Sequence, residues 1–206
     1  MIEAQQPDIV VLQEISRGWL IAGGLDLAEW LSRRLQMPYV YAPGHDYQFG
    51  NIIFTRRPIK DWSFTRLPLR NVPLGRGLIR AEIDLGDGQS IDVINTHLSA
   101  YATSEDRIPQ VQKVLEEWNG APRSLIAGDM NAHPDDSDIA LFLQAGLISA
   151  QDATNHGDLL TFSSAEPVER IDWIFGSPDV QFGDFVIPQT TASDHLPLAV
   201  NVSVAP

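Results

Sequence analysis

The stretch Ser124-Leu125-Ile126-Ala127-Gly128-Asp129-Met130-Asn131 closes a short apolar run with a carboxylate and a carboxamide two residues apart. On an extended chain such side chains share a face, so Asp129 and Asn131 can serve one opening, one as an anion and one as a neutral donor. That pair suits a phosphate held near a divalent cation. Gly-Asp-x-Asn is also ordinary turn chemistry, and the stretch alone does not choose. Four more places raise the same question. Pro7-Asp8-Ile9-Val10-Val11-Leu12-Gln13-Glu14 ends a β-branched run in Glu14, and Asn95-Thr96-His97-Leu98 ends another with His97. Arg170-Ile171-Asp172-Trp173 sets a carboxylate among apolar neighbours, where it must be paired or face a polar cleft. Ser193-Asp194-His195-Leu196-Pro197 puts an acid beside an imidazole, a compact pair for metal binding and proton transfer. Singly, each has a bland account as surface glutamate, structural histidine or turn. Jointly they lie at or beside strand ends, and strand ends on one side of a sheet stack converge on one cleft.

The elements that would position them follow from periodicity. Continuous apolar runs at 9–13, 49–55, 78–85, 90–96, 124–127, 169–175, 180–187 and 198–204 predict strands, with 39–41 and 59–69 as further ones. Helical spacing of Leu27, Trp30, Leu31 and Leu35 predicts a helix capped by Asp26, and Ile108, Val111, Val114, Leu115 and Trp118 mark one over 105–118. A short helix is expected over 138–144, ended by Gly146. Strands outnumber helices and the helices do not alternate with them, which favours an α/β (α+β) fold of two packed sheets with helices outside. The glycine-rich 70–77 loop carries Arg70 and Arg76, either of which could touch an anion, although glycine and proline in a hairpin explain the loop equally well.

Composition narrows the functions. The 206 residues suit one domain, 1–206, and no apolar run is long enough for a membrane span. No signal peptide is visible, so the chain is expected to be soluble and cytoplasmic by default, or a domain of an anchored or exported protein. The absence of cysteine excludes disulfides, thiolate catalysis and cysteine zinc sites. A net charge of −13, with 14 basic residues against 27 acidic ones, argues against tight duplex-DNA binding, which needs clustered cations. A site for one phosphate survives that argument, because a bound cation supplies the missing charge. Trp19-Leu20-Ile21 and the 67–78 loop could approach a membrane surface, but core burial accounts for most of their side chains. Oligomeric state is left open.

Pro-Asp-Ile-Val-Val-Leu-Gln-Glu, Thr-His-Leu, Gly-Asp-Met-Asn-Ala, Arg-Ile-Asp-Trp-Ile-Phe and Ser-Asp-His-Leu-Pro, in that order, resemble the endonuclease/exonuclease/phosphatase superfamily over Pro7 to Leu198. The resemblance implies a four-layered sandwich of two mixed, mainly antiparallel sheets with helices outside. It implies a phosphoesterase dependent on Mg²⁺, with Mn²⁺ as an alternative, acting on a phosphodiester or phosphomonoester. Carried over by residue, Glu14 would be the main metal ligand, assisted by Asp194. His195 would contact the scissile phosphate with Asp172 on its other ring nitrogen. Asp129 would orient or deprotonate the attacking water, Asn131 would hold a phosphoryl oxygen, and His97 would be a second phosphate ligand or proton donor. The acidic balance directs the substrate expectation to a small molecule, a lipid headgroup or a short nucleic acid.

Two departures from the family pattern stand out. Members normally begin with a strand ending in asparagine, some thirty residues before the glutamate strand, and this chain starts just ahead of the latter. The expectation is an N-terminally truncated domain, with a non-catalytic metal- or partner-binding role as the alternative function. The partner carboxylate expected for His97 near Phe49-Gly50-Asn51 is also absent, leaving only Gln48 and Asn51.

Overall fold

The computed structural model describes every residue except 46, 70–74, 101–102 and 205–206, together with all side chains in the described part but those of Ile21 and His45. Arg70 and most of the glycine-rich loop therefore lie outside the described residues. In chain order the elements are α1 (Ile2–Gln5), β1 (Ile9–Ser16), a 3-10 turn (Leu20–Ala22), α2 (Leu27–Leu35), β2 (Tyr39–His45), β3 (Phe49–Thr55), β4 (Ile59–Arg66), β5 (Gly77–Gly86) and β6 (Gln89–His97). There follow α3 (Ser104–Trp118), β7 (Ser124–Asp129), α4 (Ser137–Gln144), β8 (Ile148–Ser149), α5 (Ala150–Ala153), β9 (Asp172–Gly176), β10 (Val180–Val186) and β11 (Ala199–Val204).

Local chemistry explains the helix starts. Asp26 caps α2 by accepting the Glu29 backbone N–H at 2.9 Å, and Thr103 with Asp106 forms a capping box at α3. Periodicity does not reveal the small elements α5 and β8, which are too short to show it.

A six-stranded mixed sheet, β4-β5-β6-β7-β9-β8, forms the central layer, with β6 and β7 its parallel pair. Its outer face packs on α3 and α4 through Val111, Val114, Ile139, Phe142 and Phe175. Its inner face meets β1-β3-β2 and β10-β11 through one cluster that includes Ile53, Ile79, Ile83 and Val93. Beyond β1-β3-β2, α2 closes the fourth layer through Ala28 and Leu35. Fully buried aliphatic and aromatic side chains contribute about 1.5–3 kcal/mol each, so these three clusters hold the layers together. Leu20 adds nothing to them: it is 85% exposed, against the expectation of burial, and Leu69 is 53% exposed, whereas Leu67 and Leu78 are buried. No helix among the described residues is long and apolar enough to cross a membrane.

The expected pair of facing sheets is present, with the second divided in two. Among the described residues β1 pairs only with β3, and β11 only with β10. Between them opens a cavity of about 1400 Å³, walled by Ile9 and Val11 on one side and Val200 and Val202 on the other, with Leu125 and Ile174 also lining it. That exceeds the usual 300–1,000 Å³ of ligand pockets. The same cavity reaches Glu14, Asp129, Asp172 and His195.

Candidate active site

Strand register builds the centre of the site. His97 stands opposite Asp129 across the parallel β6–β7 pair, and Asp129 stands opposite Asp172 across the antiparallel β7–β9 pair. One row across three adjacent strands thus presents an imidazole and two carboxylates. Asp172, which the sequence placed inside a longer strand, is the first residue of β9. Asn131 follows β7 with φ 47°, a left-handed conformation that asparagine tolerates. Its backbone N–H donates to Asp129 Oδ1 at 2.8 Å, and its carboxamide Nδ2 lies 3.2 Å from Asp129 Oδ2 and 3.0 Å from the Leu98 carbonyl. The turn chemistry and the site chemistry of Gly-Asp-Met-Asn are therefore the same contacts.

Glu14 arrives differently. The β1–β3 register slips between Leu12 and Ile15, and Glu14 sits in that bulge with φ 59°. A bulge re-aims a side chain, and a non-glycine residue held at positive φ marks strain of the kind found at functional sites. Glu14 is thus not the end of its strand, as expected, but a kink within it. Its carboxylate is half exposed, and its Oε1 lies 3.8 Å from His97 Nδ1 and 4.0 Å from an Arg76 terminal nitrogen. Neither distance is a hydrogen bond, so the carboxylate keeps its capacity for another partner.

His195 is set by Asp172, its Nδ1–H donating to Oδ2 at 2.9 Å, with Nε2 3.9 Å from Asp129 Oδ2. Phe162 packs on the imidazole at 4.8 Å between centroids, while the Leu196 N–H donates to the Thr161 carbonyl. Sequence analysis did not identify Phe162, and nothing in its local pattern marks it. Asp194 is exposed at the cavity, its Oδ1 3.4 Å from the Ser193 hydroxyl. Asp129, Asp172 and His195 bring ligand-capable atoms within 4.8 Å of one another, a group that includes neither Glu14 nor Asp194.

Electrostatics divides the two buried aspartates. Burial works to raise the Asp129 carboxyl, but its His97 contact, the Asn131 N–H and the nearby His195 hold it below the ordinary range. At Asp172 burial wins, aided by the Asp129 charge, and the carboxyl is raised despite the bond from His195. Burial opposes the His195 imidazolium, yet Asp172, then Asp129 and Asp194, push it up to about 9. These two shifts pull against each other over one shared proton. The direction that geometry supports is the raised histidine, because three carboxylates surround it.

His97 is 5% exposed and Asp129 6%. That leaves little of the His97 ring to meet a substrate. Asn51, expected near a partner for His97, instead donates from Nδ2 to the Gly77 carbonyl at 2.8 Å. The carboxylate beside His97 Nδ1 is Glu14.

The donor set suits a hard divalent cation: the Glu14, Asp129, Asp172 and Asp194 carboxylates line one cavity, and Glu14 stands there at positive φ.

A sequence profile described as the Endonuclease/Exonuclease/phosphatase family matches residues 1–195. No curated protein matches the chain. Among solved structures, an endonuclease/exonuclease/phosphatase from Beutenbergia cavernae superposes with TM-score 0.77 at 22% identity, covering 98% of this chain and 64% of that one. This chain therefore spans less than two thirds of that protein's length. The human Nocturnin catalytic domain with bound sulfate gives TM-score 0.76 at 21% identity, with coverages of 99% and 83%. TDP2 from D. rerio, complexed with single-strand DNA product, gives 0.74 at 21% identity, with coverages of 98% and 88%. At these identities the likeness is one of fold.

Proposed function

We propose, since the chain belongs to the endonuclease/exonuclease/phosphatase family, that it is a divalent-metal-dependent hydrolase of a phosphodiester or phosphomonoester. The observation that carries this reading is the row His97, Asp129, Asp172 with His195 bonded to its end, all opening on the cavity that Glu14 faces. A water oxygen attacks phosphorus as the bond to the leaving oxygen breaks, and the water's proton passes through solvent in the cavity to the leaving oxygen. Asp129, with its carboxyl held ionised and so weakly basic, orients that water rather than deprotonating it. Asn131 and the His195 Nε2–H hold phosphoryl oxygens; Asp172 accepts from Nδ1–H and stabilises the imidazolium, the form in which Nε2 also carries a hydrogen. A Mg²⁺ or Mn²⁺ held by Glu14 and Asp194 would supply the positive charge that offsets charge developing on the phosphate.

The net charge of −13 favours a small molecule, lipid headgroup or short nucleic acid over duplex DNA. The sulfate on the Nocturnin domain and the single-strand DNA product on TDP2 support a phosphate-bearing ligand. The decisive assay is hydrolysis of bis-p-nitrophenyl phosphate: release of p-nitrophenol with Mg²⁺, abolished by EDTA, is expected.

The gap between β1 and β11 favours a second reading, a domain that lacks one strand and binds without turnover. Two open edges facing each other over apolar walls fit one extended segment, which a β-α-β crossover through α1 would lay parallel to β1. A longer chain supplying that strand is expected to gain about 2 kcal/mol net of ordering, or about 4–8 °C in Tm. An unchanged Tm would refute the strand assignment. Mg²⁺-dependent turnover absent from both forms would sink the enzyme reading.

A further inference from the structure

Arg76 lines the same cavity and is a cation that the proposed chemistry does not use. It lies just ahead of β5 and is 8% exposed. A guanidinium taken out of water is costly unless its hydrogens find partners, yet its Nε has no hydrogen-bond partner among the described residues. Its terminal nitrogen stops 4.0 Å from Glu14 Oε1.

The backbone leaves it nowhere else to go. The Arg76 carbonyl accepts the Leu67 N–H at 2.9 Å, and the next carbonyl, of Gly77, accepts from the Asn51 carboxamide. A Cβ on Gly75 would stand 2.6 Å from the Gly44 carbonyl oxygen, and one on Gly77 would stand 2.7 Å from the Phe64 ring. Arg76 thus sits between a tight backbone approach at Gly75 and the Phe64 ring packed on Gly77. His97 completes the arrangement from the other flank. Its Nδ1 is 3.8 Å from the same Glu14 oxygen, and its Nε2 is 3.3 Å from Asp129 Oδ2. Two buried donors thus face one oxygen of Glu14.

We infer that Arg76, with His97, is a positioning residue for Glu14: Arg76 at 4.0 Å and His97 Nδ1 at 3.8 Å draw Oε1 electrostatically, short of hydrogen bonding, and leave the second carboxylate oxygen to a divalent cation. This rests on the metal-dependent reading above. It assigns Arg76 away from direct contact with the substrate, the role that the loop's composition suggested, and explains why a buried cation sits behind a half-exposed carboxylate at positive φ. The bulge supplies the direction of Glu14; Arg76 and His97 supply its orientation.

The test is Mn²⁺ binding followed by electron paramagnetic resonance on the 206-residue chain, alongside KM and kcat for bis-p-nitrophenyl phosphate. Residues outside the first ligand set tune metal affinity by about 10–100-fold. Arg76→Met is expected to weaken Mn²⁺ at least about tenfold with little change in KM at saturating metal. Arg76→Lys, which keeps the charge but not the planar fork, should fall between. A rise in KM with unchanged Mn²⁺ affinity would overturn the inference and return Arg76 to substrate binding. Should Arg76→Met fail to fold by circular dichroism, Arg76→Lys decides: Mn²⁺ affinity equal to the parent's overturns the inference. Absence of Mn²⁺ binding in the parent chain removes the phosphoesterase reading itself.

Discussion

Replacing His195 with alanine is expected to lower turnover of bis-p-nitrophenyl phosphate by about 10²–10³-fold while leaving Mn²⁺ affinity nearly unchanged. That is the scale on which one preorganised donor to developing charge is lost. His195 is preorganised from three sides: Asp172 holds Nδ1 at 2.9 Å, Phe162 lies against the ring, and the Thr161 carbonyl ties down the next residue. Asp172→Asn should cost turnover too, because a carboxamide no longer stabilises the imidazolium whose Nε2–H points into the cavity. The charge state is checked independently by NMR titration of the imidazole. A midpoint near 9 is expected against the ordinary 6.5, falling in Asp172→Asn. The sign follows from linkage: a histidine whose folded value is raised contributes stability that is fully present below pH 6.5 and is lost as pH rises through about 9. A midpoint at or below 6.5 in the intact protein, or near-normal turnover in His195→Ala, would refute the assigned role.

How much of this was legible in the sequence depends on the range of the contacts involved. The Asp129 and His97 strand ends were readable because apolar runs of four to eight residues with polar closures are a local signal. Their alignment with Asp172 in one row was not, since it depends on how strands far apart in the chain pair. The Glu14 bulge is hidden for a related reason: a slip in register is a property of two strands, and residues 7–14 alone read as a strand that ends at Glu14. Arg76 reads as a loop cation, but the approaches of Gly44 to Gly75 and of Phe64 to Gly77 on either side of it exist only in the folded chain. Leu20 was misjudged because an apolar triplet carries no information about whether a sheet stands ready to cover it. The open edge of β1, by contrast, stands where the family resemblance leads one to expect a preceding strand.

Gly128→Ala is expected to be the most damaging single substitution in the β6–β7 pair, destabilising by about 3 kcal/mol or more and lowering turnover of whatever remains folded. Gly128 has φ 146°, in the range that favours glycine, and an added Cβ would stand 1.8 Å from the Thr96 carbonyl oxygen. Thr96 is its register partner, so the clash cannot be relieved without parting the two strands. Overpacking costs about 1–3 kcal/mol and backbone strain about as much again. The next pair along is His97 and Asp129, and Asp129 carries the Asn131 turn. Displacing that pair by about 1 Å is enough to cost about 10²-fold in rate. Gly146→Ala is the control: it too has a positive φ, 93°, but nothing lies within 4 Å of its added Cβ. It should lose about 1 kcal/mol, the conformational cost alone, with turnover unaffected. Urea unfolding midpoints and kcat for the two variants separate the clash from the strain. Equal effects at both positions would mean that Gly128 is required only for its φ, and that close approach to Thr96 does not set the geometry of Asp129.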